Sequence, residues 1–239
     1  MDDHPASIFV NLGLHADAPI RSKAWRLRVR IHFRNPRPDG LSDSEEAPVL
    51  FLIEDALNHQ ITRECNAITP GRITTRGRRE FCYYAGTNKN FRSAVTTAMA
   101  GFPEYRFQLA EKHDPEWEYY LHVLYPSPEE FERIKNRDLL AVLAKQGDVL
   151  TAAREVQHWI YFPSEEARAL FRHEASNVGF KVGYECESDV QGEGHFGLTV
   201  LRTQSVEQNL IDETVIELLR LAKRFHGEYD GWETPVVNQ

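Results

Sequence analysis

Apolar residues alternate at Ile8, Val10, Leu12 and Leu14, and again at Trp25, Leu27, Val29, Ile31 and Phe33, a period of two that predicts two strands. The second strand is sharply two-sided. Its other face is Arg26, Arg28, Arg30, His32 and Arg34, and so many cations must be solvated or paired with acids. The period then lengthens: Leu50, Ile53, Leu57 and Ile61 form a helical stripe behind a Ser42–Glu45 capping box, with Pro48 in the first turns and an end expected near Thr62. From Arg72 to Tyr84, two strand-like segments flank Gly77 and predict a hairpin. Phe91, Val95, Ala98 and Phe102 predict a second helix. Tyr105-Phe107-Leu109 and Trp117-Tyr119-Leu121-Val123 read as strands joined by His113-Asp114-Pro115, and Ser127-Pro128-Glu129-Glu130 opens a third helix that Gly147 stops.

The remainder repeats this grammar. Val156, His158, Ile160 and Phe162 share one face of a strand, with Trp159 and Tyr161 on the other. A helix carrying Leu170, Phe171, Ala175 and Val178 closes at Gly179, and strands through Phe180-Val182-Tyr184-Cys186 and Phe196-Leu198-Val200 flank an acidic loop. The final helix buries Ile211, Val215, Leu218, Ala222 and Phe225 and stops at Gly227, after which Asp230-Gly231 reads as a tight turn holding Tyr229 and Trp232. The expected fold is α+β: two antiparallel-sheet α/β sandwich domains, 1–147 and 148–239, the second ferredoxin-like from its strand-helix-strand-strand-helix order.

Charge separates the halves more clearly than composition does. Residues 1–147 hold 20 Lys+Arg against 20 Asp+Glu, whereas residues 148–239 hold 8 against 16, so the whole net charge of -8 lies in the second part. Such a body repels phosphate and anionic membranes and attracts basic protein segments. Asp212, Glu213 and Glu217 on the final helix, Glu187, Asp189 and Glu193 around the loop, and Tyr229 and Trp232 in the turn are the candidate partner-contact residues. With 41% hydrophobic residues, no bilayer-length apolar run and an acidic start, MDDHPASIFV, the chain is expected to be cytoplasmic, without a membrane partner. Cys65, Cys82 and Cys186 are read as reduced core thiols.

Chemical motifs are sparse. Gly192-Glu193-Gly194-His195-Phe196-Gly197 matches the dinucleotide-binding spacing, but a strand-like segment follows it where that motif needs a helix, so it reads as a hairpin loop. No catalytic residue, cofactor or metal site is expected, and His158 is read as a hydrogen-bonded core residue. Arg26, Arg28, Arg30 and Arg34, with Arg72, Arg76, Arg78 and Arg79, would make an anion-binding face if the sheet gathered them; the competing expectation is pairing with Glu and Asp.

Two resemblances add to this. The segment from Ile211 to Glu233, ending in GEYDGWE, resembles the C-terminus of the RraB family, regulators of RNase E activity, and Arg154–Phe162 and Val178-Gly179-Phe180 resemble its opening strand and helix exit. That likeness spans 148–235. Pro5-Ala6-Ser7-Ile8-Phe9-Val10, Thr75–Phe81, Asp114–Tyr120 and Leu124-Tyr125-Pro126-Ser127 resemble the bacterial domain of unknown function 695, which has no assigned chemistry. The RraB resemblance implies a non-catalytic protein-binding regulator, an inhibitor of an RNase E-type ribonuclease; the acidic charge of the second part adds the expectation that the contacted segment is basic. Competing readings are an enzyme with a site between the domains and an RNA-binding adaptor using the arginine face.

Overall fold

The computed structural model describes residues 5–190 and 193–238, and for 188–190 and 193–195 the backbone alone. It divides into two compact units, Met1–Pro126 and Ser127–Gln239. The division therefore falls before the third helix, and not at Gly147-Asp148.

In the first unit, strands β1 (Ala6–Val10), β2 (Trp25–His32), β3 (Ile68–Thr75), β4 (Arg78–Ala85) and β5 (Phe107–His113) form an antiparallel sheet in the order β1-β3-β4-β2-β5. Helices α1 (Ala47–Cys65) and α2 (Phe91–Met99) cover one face. There Leu27, Val29, Ile31, Phe81 and Tyr83 meet Leu50, Ile53, Leu57 and Ile61 of α1 and Phe91 and Val95 of α2 in one buried cluster. Burial on that scale stabilises by about 1.5–3 kcal/mol for each large side chain. The start of α1 differs from expectation: Asp43 Oδ1 accepts the amides of Glu45 and Glu46, and the Glu46 carboxylate accepts those of Arg34 and Asn35. Ser42 and Glu45 form no capping box, and the helix runs on to Cys65, where Asn66 takes the left-handed conformation.

Two strand expectations fail here for local reasons. Leu12 and Leu14 lie in a 3-10 turn, Leu12–Ala16, begun by the Asn11 side chain accepting the Gly13 amide. Of the Trp117–Val123 stretch, Trp117 has a left-handed backbone, φ 54, and the chain is helical from Glu118, ending in a π-helical turn over Tyr120–Leu124, because the Asp114 carboxylate accepts the amides of Glu118 and Tyr119 at 3.1 and 3.4 Å. Trp117, Tyr120 and Leu124 then bury against Cys82 and Tyr84 on the second face of the sheet. Alternating aromatics suggest a strand, but the aspartate side chain captures two successive amides and starts a helical turn instead.

The second unit opens with α3 (Pro128–Lys145), capped by Ser127, whose hydroxyl accepts the Glu130 amide while the Glu130 carboxylate accepts the Ser127 amide. Then follow β6 (Arg154–Phe162), α4 (Glu165–Asn177), β7 (Lys181–Val190), β8 (Glu193–Gln204), α5 (Gln208–Arg224) and β9 (Glu228–Glu233). The sheet order β7-β8-β6-β9, antiparallel throughout, with a helix after the first and third strands, is the ferredoxin-like arrangement. Residues 228–233, expected as a turn, are its fourth strand: His158 pairs with Trp232 and Ile160 with Tyr229, and a bulge at Asp230-Gly231 absorbs the extra residue. His226, at φ 57, and not Gly227, takes the left-handed exit from α5; Gly227 is needed because a Cβ there would stand 2.4 Å from the Phe162 ring. Val156, Ile160 and Phe162 face Phe171, Val215 and Leu218 in the core, to which α3 adds Leu140 and Leu143. No helix among the described residues is long and apolar enough to cross a membrane.

Candidate functional site

The register of β2, β3 and β4 sends the arginines to opposite sides of the first sheet. Arg26, Arg28 and Arg30 share the face that carries Glu80, whereas Arg72 and Arg79 lie with Phe81 on the helix-covered face. Glu80 gathers the first set: Arg28 Nη1 donates to it at 3.0 Å, Arg30 Nη2 at 2.8 Å and the Tyr119 hydroxyl at 2.7 Å. Burial pushes the Glu80 carboxyl up, but the Tyr119 and Arg30 hydrogen bonds and the Arg28 charge outweigh it, leaving it below the usual range. Arg26 sits 4.5 Å over the Tyr119 ring and 3.9 Å from Asp114. On the helix side Arg72 donates to Glu54 at 2.5 Å, and the buried Arg79 donates to Thr74 Oγ1 and lies 3.9 Å from Glu54. Arg76 is exposed in the β3–β4 turn beside Arg78, and Arg34 follows the end of β2. A single anion-binding face is therefore not assembled: the set is split between the two sides of the sheet, and Glu80, Asp114 and Glu54 pair Arg26, Arg28, Arg30, Arg72 and Arg79.

The acidic candidates of the second unit are dispersed as well. Asp212 is 6% exposed and is no contact residue. It accepts Asn136 Nδ2 at 2.8 Å and Gln208 Nε2 at 2.9 Å, and Asn136 Oδ1 in turn accepts Trp232 Nε1 at 2.8 Å. This buried polar chain ties α3 to α5 and β9, and it explains why α3 belongs to this unit. Tyr229 is also buried, its hydroxyl 2.9 Å from His158 Nδ1. Trp232 is only partly buried, packed against the core edge. Glu217 pairs with Arg202 at 3.1 Å, Glu187 lies 4.0 Å from Arg168, and Glu213 is exposed. The Asp189 and Glu193 side chains lie outside the described residues. Arg133, Arg202, Arg220 and Arg224 share with Glu213 and Glu217 an open groove of about 670 Å³ along α5, so that helix presents a mixed and not an acidic surface.

His158 is fully enclosed beside Phe180 and Tyr229, and desolvation, helped by the Arg202 charge, drops its pKa to about 3. The imidazole is neutral at physiological pH, and it is a core group. Cys65 and Cys82 are buried thiols pushed up in pKa by burial, but Cys186 is partly exposed, contrary to expectation. Asn136, which nothing in the sequence analysis singled out, is the hub of the buried polar chain. Its spacing from Glu132 and Leu140 on the buried side of α3 was the available signal.

Comparisons with known proteins agree with this division. Residues 133–234 match the family model Regulator of ribonuclease activity B. The proteins of that name from Escherichia coli (strain K12) and Shigella flexneri are each 29% identical over 115 residues, covering 45% of this chain and 80% of theirs. Among solved structures, an unknown protein from Galdieria sulphuraria aligns over 90% of this chain and 99% of its own at 14% identity, with a TM-score of 0.26, too low to bear on the argument. Residues 1–125, more than half of the sequence, match the model of a family defined without a function. The chain accordingly belongs to the Family of unknown function (DUF695), here joined to a domain matching Regulator of ribonuclease activity B.

Proposed function

We propose that the chain is a non-catalytic, cytoplasmic regulator that acts by protein contact on a ribonuclease of the RNase E class, with its second unit as the contact module. The observation that carries this reading is the match of residues 133–234 to Regulator of ribonuclease activity B. Charge supports it separately. With the division before Ser127, the second unit holds 12 Lys+Arg and 20 Asp+Glu, the full net charge of -8, while residues 1–126 balance at 16 against 16. An acidic body draws in a cationic protein segment and repels RNA phosphate. Five of the eight arginines an RNA adaptor would use, Arg26, Arg28, Arg30, Arg72 and Arg79, are engaged by Glu80, Asp114 and Glu54. The test is cleavage of a fluorogenic single-stranded RNA by purified RNase E with increasing full-length chain, alongside co-elution of the two proteins at low salt. Saturable inhibition with co-elution is expected; unchanged cleavage without co-elution overturns the reading.

A further inference from the structure

The face of the second sheet opposite α4 and α5 carries Glu155, Gln157, Trp159 and Tyr161 of β6, in register with Thr203, Leu201, Thr199 and Gly197 of β8 and, on the other side, with Glu233, Gly231 and Glu228 of β9. Trp159 and Tyr161 are partly exposed, and glycine sits beside each ring. A Cβ at Gly197 would stand 3.1 Å from Tyr161 Cε1 and 2.5 Å from Cys186 Sγ, and a Cβ at Gly231, across from Trp159, would meet nothing within 4 Å. The two rings thus stand over a floor of glycine and threonine, with open space alongside. Tyr184, 63% exposed, adds a third ring at the β7 bulge, where its amide donates to Thr199 Oγ1 at 2.6 Å.

Around the rings acids predominate. Glu155, Glu228, Asp230 and Glu233 are exposed, against Lys181 among the described residues of this face. Trp159 Nε1 and Gln157 Nε2 both donate to Glu233 Oε1, at 3.3 and 3.0 Å, which fixes the indole beside a carboxylate. Asp230 is close enough to Tyr161 to add to the upward push that burial gives its phenol.

We propose that this face docks an extended protein segment rich in arginine or lysine, its cations lying over Trp159 and Tyr161 and against Glu155, Glu228, Asp230 and Glu233. This rests on reading the second unit as a protein-contact module, and names the surface and the chemistry of its partner. Guanidinium is the group that satisfies both features, stacking on an aromatic face while pairing with a carboxylate. Single-stranded RNA would also stack on two rings, but four carboxylates oppose its phosphates.

The test measures anisotropy of a fluorescein-labelled arginine-rich peptide with the full chain, using Trp159→Ala and Glu228→Lys on the sheet face and Glu213→Lys on α5 for comparison. Circular dichroism checks folding. Each sheet variant should weaken binding by roughly five- to tenfold, the cation–π scale, with Glu213→Lys near wild type and affinity falling as salt rises. Equal peptide affinity for wild type and both sheet variants overturns the proposal, as does labelled oligouridine binding that Trp159→Ala abolishes. Concentration-dependent dimerisation lost in the same variants overturns it too, by making a second copy the occupant. Peptide binding with the expected pattern but no effect on RNase E would leave this surface standing and remove the ribonuclease as its partner.

Discussion

Replacing Asn136 by alanine breaks the chain of contacts that holds α3 onto the second unit. The residue is 1% exposed, so its two partners lose it in a nearly dry setting. Asp212 loses a donor at 2.8 Å, and a hydrogen bond to an ionised group contributes about 1.5–3 kcal/mol. Trp232 Nε1 loses its acceptor, also at 2.8 Å, for about 1 kcal/mol, and its partial exposure lets water recover some of that. The expected loss is about 3 kcal/mol, or roughly 12 °C in the melting of a unit this size. Urea unfolding of the full chain, followed by tryptophan fluorescence and far-ultraviolet dichroism, reads it. Asn136→Asp sharpens the test, because two carboxylates at hydrogen-bond distance cannot both ionise. One keeps its proton in the folded state, so its folded pKa rises above the unfolded value. The variant should be near wild type at acid pH and lose stability as pH rises through that raised pKa. A loss below about 1 kcal/mol for Asn136→Ala, or an Asn136→Asp variant whose deficit ignores pH, would refute the reasoning.

His158, whose pKa falls to about 3 in the folded chain and returns to 6.5 on unfolding, contributes full stability above pH 6.5 and loses it progressively as pH falls towards 3. Between pH 6.5 and 5 the loss should be about 2 kcal/mol, and His158→Gln should flatten that part of the stability curve by one proton. Glu80→Gln leaves Arg28 and Arg30 without their carboxylate and should cost about 2–4 kcal/mol in the first unit's unfolding transition, with the second unit's transition unmoved. Residues 127–239 expressed alone should melt cooperatively, whereas 148–239, lacking α3, should give poor amide dispersion by nuclear magnetic resonance; equal dispersion would show that α3 is an accessory.

What the sequence disclosed follows from how local each signal is. The alternation of Leu27, Val29 and Ile31 against arginines fixed β2, and the 3-4 stripe of α5 fixed its buried side, because both depend on nearest neighbours along one element. The short strand β9 was hidden because Asp230-Gly231 is equally good chemistry for a turn and for a bulge, and only the presence of β6 alongside selects the bulge. Asp212 looked like a surface charge for a similar reason: its partners, Asn136 and Gln208, include one from a helix 76 residues away. Likewise, the sequence placed the arginines of β2 on its polar face but not which side of the sheet those of β3 and β4 take, since that depends on the register between β3 and β4. The aromatics Trp159 and Tyr161 were visible as the outer face of a strand, and their acidic surround was not, because Glu228, Asp230 and Glu233 reach it only through β9.

The pairing of β6 with β9 also bears on how the two outermost strands in chain order are kept from fraying. The first and last strands of the βαββαβ arrangement are neighbours, and Gln157 near the start of one lies opposite Glu233 at the end of the other. Just outside them, the Asp148 carboxylate accepts both Arg154 Nη1 at 2.5 Å and the Val237 amide at 2.8 Å, fastening entry to exit. A sheet whose opening and closing strands share one clasp is sealed where both would otherwise fray: Asp148→Ala should speed amide exchange at the start of β6 and the end of β9 together, and unchanged exchange at both would show that the clasp holds neither.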